Sequence, residues 1–482
     1  MDREVGLELS NEENLIQPLL IASKSPTIEK ALEQLIDIAK TAEGRLDLAS
    51  QNIVSKLLQL CSSIPYPAGC YILLPALKLL RNLCAGEIRN QNAFLEQNGA
   101  EVVSTIIRSV GFASDYNGEI VRMGLQLLAN FVLAGGEHQR AVWCQFFPHG
   151  FLNIARVRSR ESCDPLCMVI YTCCEGDDGL LADLCNEQGL AVVIEIIQTA
   201  SIVDPIEKWF KLLISRICIE ESYTASVFFK LGRDCGVESG HFVAEQAYIL
   251  SILSEMLNER IEGIIVNPDF ALCVLGILRS AGGVVDFSTR GITGLPTGNA
   301  VIDVLGYSLT ILRDICACDH LTGGSDDVVG MLVSSGLIES LLAFLSNLEP
   351  PATIQKAMDR GETTSSPIAR CPYKGFRRDI VAVIGNCAYR RKQVQDEIRK
   401  KNGIILLLQQ CVTDEDNPFL REWGIWAARN LLEGNTENQK LVADLELQRS
   451  VVDVPELARL GLRVDIDPTT HRAKLVNIPH SE

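Results

Sequence analysis

Apolar residues along this chain recur three and four positions apart, the spacing that lays them on one face of a helix. Ile28, Ala31, Leu32, Leu35, Ile36 and Ala39 mark one such face, and Ile53 to Leu60 marks a second, closed by Pro65-Tyr66-Pro67. A longer run, LLPALKLLRNLCAGEIRNQNAFLEQNGAEVVSTIIRSV, contains a helix ending at Asn82-Leu83-Cys84 and a short helix from Asn90. A turn at Asn98-Gly99 and an apolar helix from Ala100 to Val110 complete it. The stretch from Phe376 to Leu432 repeats this design: Ile380, Val383, Ile384 and Cys387 form one stripe, and Leu420, Trp423, Ala427 and Leu431 another. Asn417 is the expected N-cap of that last helix, with Pro418 in its first turn, where a missing N–H costs nothing.

Asn386 and Asn430 stand at equivalent places 44 residues apart, and Asn82 and Asn130 are separated by 48. These periods fall in the range of armadillo and HEAT units, whose helices bury their faces by stacking on neighbours. Further units are expected at Pro165–Cys174 with Leu180–Ile197, at Trp209–Ile219, Ala244–Leu257 and Val301–Ala317, and at Val328–Leu348. Asp314 takes the Asn position in the fifth of these stretches. The predicted class is all-α, an armadillo-like α-solenoid, with a short C-terminal β-hairpin over 462–476 where alternation replaces the helical period. The chain divides into a polar lead-in (1–26), armadillo-like repeats (27–348), a flexible Pro/Ser/Thr-containing insertion (349–374), C-terminal repeats (375–447) and a tail (448–482). Gly232–Gly240 and the Gly-rich Gly282–Gly298 are expected as further interruptions of the repeats.

Composition narrows the partners. Lys plus Arg number 44 against 61 Asp plus Glu, a net charge of −17, which argues against nucleic acid and anionic membranes. No window approaches 18 uncharged apolar residues, so no span is expected. The polar N-terminus MDREVGLELSNEEN lacks a secretory signal, and most of the 17 cysteines lie inside apolar helical runs. Reduced thiols in an intracellular protein are expected.

Enzyme chemistry finds little support. Cys316-Ala-Cys318-Asp-His320 has metal-ligand types but no second pair at zinc-finger spacing, so no metal is expected. The Gly-rich segment lacks a P-loop, no cofactor is expected, and no triad-like grouping is visible. Binding candidates are more concrete. An Asn amide offers a donor and an acceptor together, so Asn82, Asn130, Asn386 and Asn430 can grip the backbone of an extended peptide; alternatively, they brace neighbouring helices. Between Lys374 and Lys401 nine basic residues face three acidic ones. Arg377, Arg378, Arg390, Arg391 and Lys392 are thus either a docking patch for an acidic partner or a solvated face. Trp423 and Trp426 share one helix; Trp423 is expected buried, and Trp426 partly exposed as a binding anchor. Ser366, before Pro367 in the insertion, is a candidate phosphorylation site.

Gly375-Phe376-Arg377-Arg378-Asp379, Ile384-Gly385-Asn386-Cys387, Val394-Gln395-Asp396 and Asp416-Asn417-Pro418-Phe419-Leu420-Arg421-Glu422-Trp423 together resemble the C-terminal domain of the ataxin-10 family. Ala428-Arg429-Asn430-Leu431 and Glu437-Asn438-Gln439 extend the resemblance. The departures are the Thr/Ser insertion and Cys387-Ala388-Tyr389, where the family more often reads Leu-Cys-Tyr. The resemblance implies a cytoplasmic, non-enzymatic scaffold linked to cytokinesis and cell survival. It also implies partner proteins such as an O-GlcNAc transferase and a G-protein β subunit, and leaves homo-oligomerisation open. The competing expectation is a regulator of nucleotide exchange on a GTPase or G-protein subunit.

Overall fold

The computed structural model describes residues 16–112, 117–203, 208–234, 242–260, 264–318, 327–351, 354, 369–448, 462–466 and 473–477. These fall into two compact units, residues 1–273 and 274–482, and the division lies within one helix.

The first unit opens with a helix over 16–23 (α1), inside the stretch expected as a polar lead-in. Leu19 is fully buried there, which an otherwise polar composition concealed. There follow α2 (Ile28–Ile38), α3 (Ala42–Ser50), α4 (Ile53–Ser63), α5 (Cys70–Leu83), α6 (Ile88–Glu96), α7 (Gly99–Phe112) and α8 (Gly118–Val132). Next come α9 (Gly136–Phe146), α10 (His149–Arg156), α11 (Arg160–Cys174), α12 (Asp178–Cys185), α13 (Glu187–Val203), α14 (Lys208–Ser215), α15 (Thr224–Asp234), α16 (Ala244–Arg260) and the start of α17 (Pro268–Val284). A π-helical turn, Arg216–Glu220, extends α14.

The long helix of each repeat packs on its counterpart in the next: α2 on α5, α5 on α8, α8 on α11, α11 on α14 and α14 on α16. Burial along α8 shows why. Ile120, Val121, Leu125, Leu127, Leu128, Phe131 and Val132 are all inaccessible or nearly so, on more than one face, because the helix is sandwiched between two others. The first unit is therefore a row of stacked helices, the armadillo-like arrangement that the repeat spacing predicts.

In the second unit α17 continues, followed by α18 (Ala300–Cys318), α19 (Val328–Ser334), α20 (Leu337–Asn347), α21 (Phe376–Ala388), α22 (Lys392–Lys400), α23 (Gly403–Leu408), α24 (Leu420–Leu432) and α25 (Thr436–Gln448). The long helices stack again, α18 on α21 and α21 on α24. The approach of the last pair is close: a Cβ at Gly385 would lie 3.0 Å from the Ala427 Cβ. Strands β1 (Leu462–Ile466) and β2 (Ala473–Asn477) pair antiparallel, Val464 opposite Leu475. The connecting residues lie outside those described. No single helix among the described residues is long and apolar enough to cross a membrane.

Two expectations for this unit change. The segment 285–299 and the end of the insertion are tied to each other: Arg370 N donates to Phe287 O, Gly291 N to Cys371 O and Lys374 N to Thr293 O, at 2.7–2.9 Å. Cys371 and Tyr373 are buried, so residues 369–374 belong to the folded body rather than to a flexible insertion. Asn417 does not cap the helix that follows it. That helix starts at Leu420 behind Phe419, whose φ of +65° is a left-handed conformation unusual for so bulky a residue. Asn417 instead caps the neighbouring helix, its Oδ1 accepting from Arg377 N at 2.9 Å. Asp164 does the same in the first unit, accepting from Trp209 N and Phe210 N.

Candidate functional site

The Asn residues singled out by repeat spacing form a ladder between stacked helices. Asn130 Nδ2 donates to Arg81 O at 2.9 Å, Asn430 Nδ2 to Gly385 O at 3.0 Å and Asn386 Nδ2 to Arg313 O at 3.1 Å. Each reaches the carbonyl just before the equivalent position of the preceding long helix: Asn82, Asn386 and Asp314 respectively. Asn82 is the exception, its Oδ1 accepting from its neighbour Arg81 at 2.9 Å. The amides of Asn130, Asn386 and Asn430 therefore brace helices. Asn430, only 1 % exposed, has no surface to offer a partner, whereas Asn82, Asn130 and Asn386 are half-buried.

A second ladder runs beside the first. Nine residues after each of these four Asn stands a Gln: Gln91, Gln139, Gln395 and Gln439. Gln91 Nε2 donates to Asn130 O and Gln395 Nε2 to Asn430 O, both at 2.8 Å, and Gln139 Nε2 to Thr172 O at 3.1 Å. Gln439 stays local, donating to Leu432 O. The long helices α8, α11 and α24 thus each end with a carbonyl held by the repeat before it, which helps to fix the stacking register.

The basic segment does not form a continuous patch. Arg377 is 2 % exposed, its Nη1 donating to Gln410 at 3.3 Å, its Nη2 to Glu349 O, and its guanidinium lying 4.0 Å from Asp414. That burial removes it from any contact surface; it joins the insertion's base to the helices around it. Arg290 reinforces this junction by bridging Glu349 and Asp416. Arg378 pairs with Asp379 at 2.7 Å, and Asp379 also accepts from the buried Tyr373 hydroxyl, whose pKa burial drives well up. Arg391 pairs with Asp327 at 3.0 Å, and Arg399 with Asp396 and Glu437. Arg390 and Lys392 remain exposed.

A groove of about 470 Å³ opens on the second unit, lined by Cys316 and Ala317 of α18, Asn386 and Tyr389 of the next helix and its end, and Glu422, Trp423, Trp426 and Asn430 of α24. Helical spacing puts Glu422, Trp423, Trp426 and Asn430 on one face, and the close stacking sets Asn386 beside them. Trp423 is half-buried rather than wholly so, while Trp426 is 45 % exposed, as the spacing predicts. Glu422 is the one carboxylate in the lining, and no Lys or Arg contributes to it. Arg429 sits 5.3 Å from the Trp426 ring centroid and Arg390 5.0 Å from that of Tyr389, neither lining the groove. Beneath it the Cys387 and Cys316 thiols approach to 3.5 Å; their contact, then burial, pushes the Cys316 thiol well above the ordinary range and leaves it a poor nucleophile. His320 of the Cys-Ala-Cys-Asp-His stretch and Ser366 lie outside the described residues.

Residues 376–475, which include α21, α24 and β1, match the spinocerebellar ataxia type 10 protein domain. Over that stretch the chain is similar to the ataxin-10 proteins. Similarity to ataxin-10 extends further: the Bos taurus protein is 23% identical over 444 residues, covering 90% of this chain and 86% of that one. The ataxin-10 homolog of Dictyostelium discoideum is 38% identical over a shorter 109 residues, 23% of this chain and 18% of its own. Among solved structures, an engineered protein aligns with a TM-score of 0.40 at 15% identity, covering 92% of this chain and 95% of that one.

Proposed function

We propose that this ataxin-10-like chain is a non-enzymatic protein-interaction scaffold, and that the groove over α18, α21 and α24 receives a segment of a partner protein. The observation that carries the reading is Trp426: a large indole left 45 % exposed beside a second Trp, in a concave site rather than on a convex surface. Trp in a concave, partly desolvated setting is the residue type that dominates binding energy in interfaces. The Asn ladder makes the site rigid, so a partner meets a preformed surface. A cytoplasmic setting and a role in cytokinesis or cell survival, carried over from the family resemblance, complete the proposal. Arg390 and Lys392, exposed outside the groove lining, serve in it as a separate basic surface for an acidic stretch of the partner; charge reversal there weakens capture less than loss of Trp426.

The test is quantitative affinity purification from native lysate with the full chain and its Trp426→Ala variant, with crosslinks mapped by mass spectrometry. The proposal expects partner crosslinks clustered around α24 in the wild type and recovery reduced at least about tenfold in the variant, the usual scale for losing a binding hot spot. Equal recovery would remove the groove from the account. Stimulated nucleotide exchange on a G protein would instead favour the regulator reading.

A further inference from the structure

We infer that the groove on α24 selects a cationic side chain, a lysine or arginine presented by an extended segment of the partner; this rests on the groove being the docking site proposed above.

Three aromatic rings, those of Tyr389, Trp423 and Trp426, line one groove with a single carboxylate, Glu422, and two side-chain amides, Asn386 and Asn430. Aromatic faces carry negative quadrupolar charge and attract a cation within about 6 Å of the ring centroid, Trp most strongly. The molecule uses these rings that way itself, with Arg429 at 5.3 Å from Trp426 and Arg390 at 5.0 Å from Tyr389. Because neither arginine lines the groove, the interior has one formal negative charge and none positive to oppose it. The half-buried Asn386 adds an acceptor without charge: its nitrogen already donates to Arg313 O, which leaves its oxygen to meet a donor.

An anionic or purely apolar occupant fits less well. An acidic side chain would meet Glu422 with no cation in the lining to neutralise it. An aliphatic one would fill the space between the indoles but leave the carboxylate and the Asn386 oxygen with less solvent and no donor, a desolvation cost without return. A lysine or arginine satisfies both halves: the methylene stem lies along the rings and the charged head reaches Glu422. The net charge of −17 adds a long-range attraction for the same sign of partner.

The test titrates the full chain with capped Gly/Ser host peptides carrying one central Lys, Arg, norleucine or Glu, followed by tryptophan fluorescence at physiological salt. Lys and Arg peptides should bind about tenfold more tightly than norleucine and Glu peptides. Glu422→Gln should abolish most of that preference, weakening the cationic peptides and tightening norleucine as the charge that it desolvates is removed, and Trp426→Phe should weaken the cationic peptides without eliminating them. Norleucine binding as tightly as Lys would overturn the charge selection and leave the groove itself standing. Failure of every peptide to perturb the tryptophans would overturn the groove as well. A Lys preference indifferent to both substitutions would place the cation elsewhere on this acidic chain, and the inference would fall.

Discussion

Helices α8 and α24 occupy the same place in their repeats, one in each unit, and end on the same ladder Asn. Asn130 and Asn430 both donate to a carbonyl of the preceding long helix, and both have their own carbonyl held by a Gln from the repeat before. Counting back from that Asn, the faces diverge. Four residues before it stand Gln126 in one and Trp426 in the other; eight before it stand Arg122 and Glu422. On the first unit this face presents guanidinium and amide, with Arg81 donating to Gln126 at 3.0 Å and burial plus the nearby Arg122 depressing the Arg81 pKa. On the second it presents indoles and a carboxylate around a groove. One backbone device therefore holds the stack, and the positions four and eight residues earlier are released from that duty to set what each unit can bind.

The comparison breaks most severely at Arg377, the one buried arginine among the described residues. It is buried among Glu349, Gln410, Asp414 and Asn417, so Arg377→Ala should cost about 3–5 kcal/mol, the range for breaking a buried charged network. Thermal denaturation followed by circular dichroism should show the early-melting transition; limited proteolysis should cut within 274–482 first. An unchanged melting profile would mean the junction at the insertion's base is ornamental.

A smaller effect sharpens the ladder itself. Asn430→Ala leaves Gly385 O deprived of a donor in a dry interface and should destabilise by about 2 kcal/mol; Asn130→Ala, half-buried, should lose about 1 kcal/mol. Chemical denaturation of both variants decides it. If Asn130→Ala costs more than Asn430→Ala, burial is not what sets the strength of a rung.

The smallest effect lies at Asp314, where the ladder carries Asp in place of Asn. Burial raises its pKa although Arg313 pairs with it at 2.8 Å and works the other way. The folded state then holds the proton more tightly than the unfolded chain, so the wild type gains stability as pH falls from neutral through the raised native pKa, the gain being complete below the ordinary value of 3.8. Asp314→Asn should remove that component of the pH dependence and raise neutral-pH stability by under about 1 kcal/mol. A variant less stable than the wild type at pH 7 would show that the ion pair with Arg313 outweighs the burial.

Much of this architecture could be read in the chain before its coordinates, because stacked helices advertise themselves through spacing. Of the four Asn that the 44- and 48-residue periods pick out, three are rungs and Asn82 is not, and the exposure of Trp426 followed from its offset on one helix. What escaped was long-range. Arg377 reads as one cation in a basic run, and its burial depends on Glu349 and Gln410, 28 and 33 residues away. Asn417 precedes Pro418 and so has the local grammar of an N-cap, yet it caps a helix 40 residues earlier. The Gln at nine residues past each Asn was in plain view, but its meaning appears only when its acceptor on the next repeat is known. Even the groove's chemistry needed Tyr389 and Cys316 to be brought beside Glu422 by stacking.

The most direct measurement is a face exchange on the full chain: Glu422→Arg with Trp426→Gln, which writes the α8 face onto α24 while keeping Asn430. Unfolding and partner recovery are measured on the same preparation. Stability within about 1 kcal/mol of the wild type, together with loss of the wild-type partners, is the result expected if the ladder holds the stack and the face binds. Retention of the same partners at wild-type recovery would contradict it.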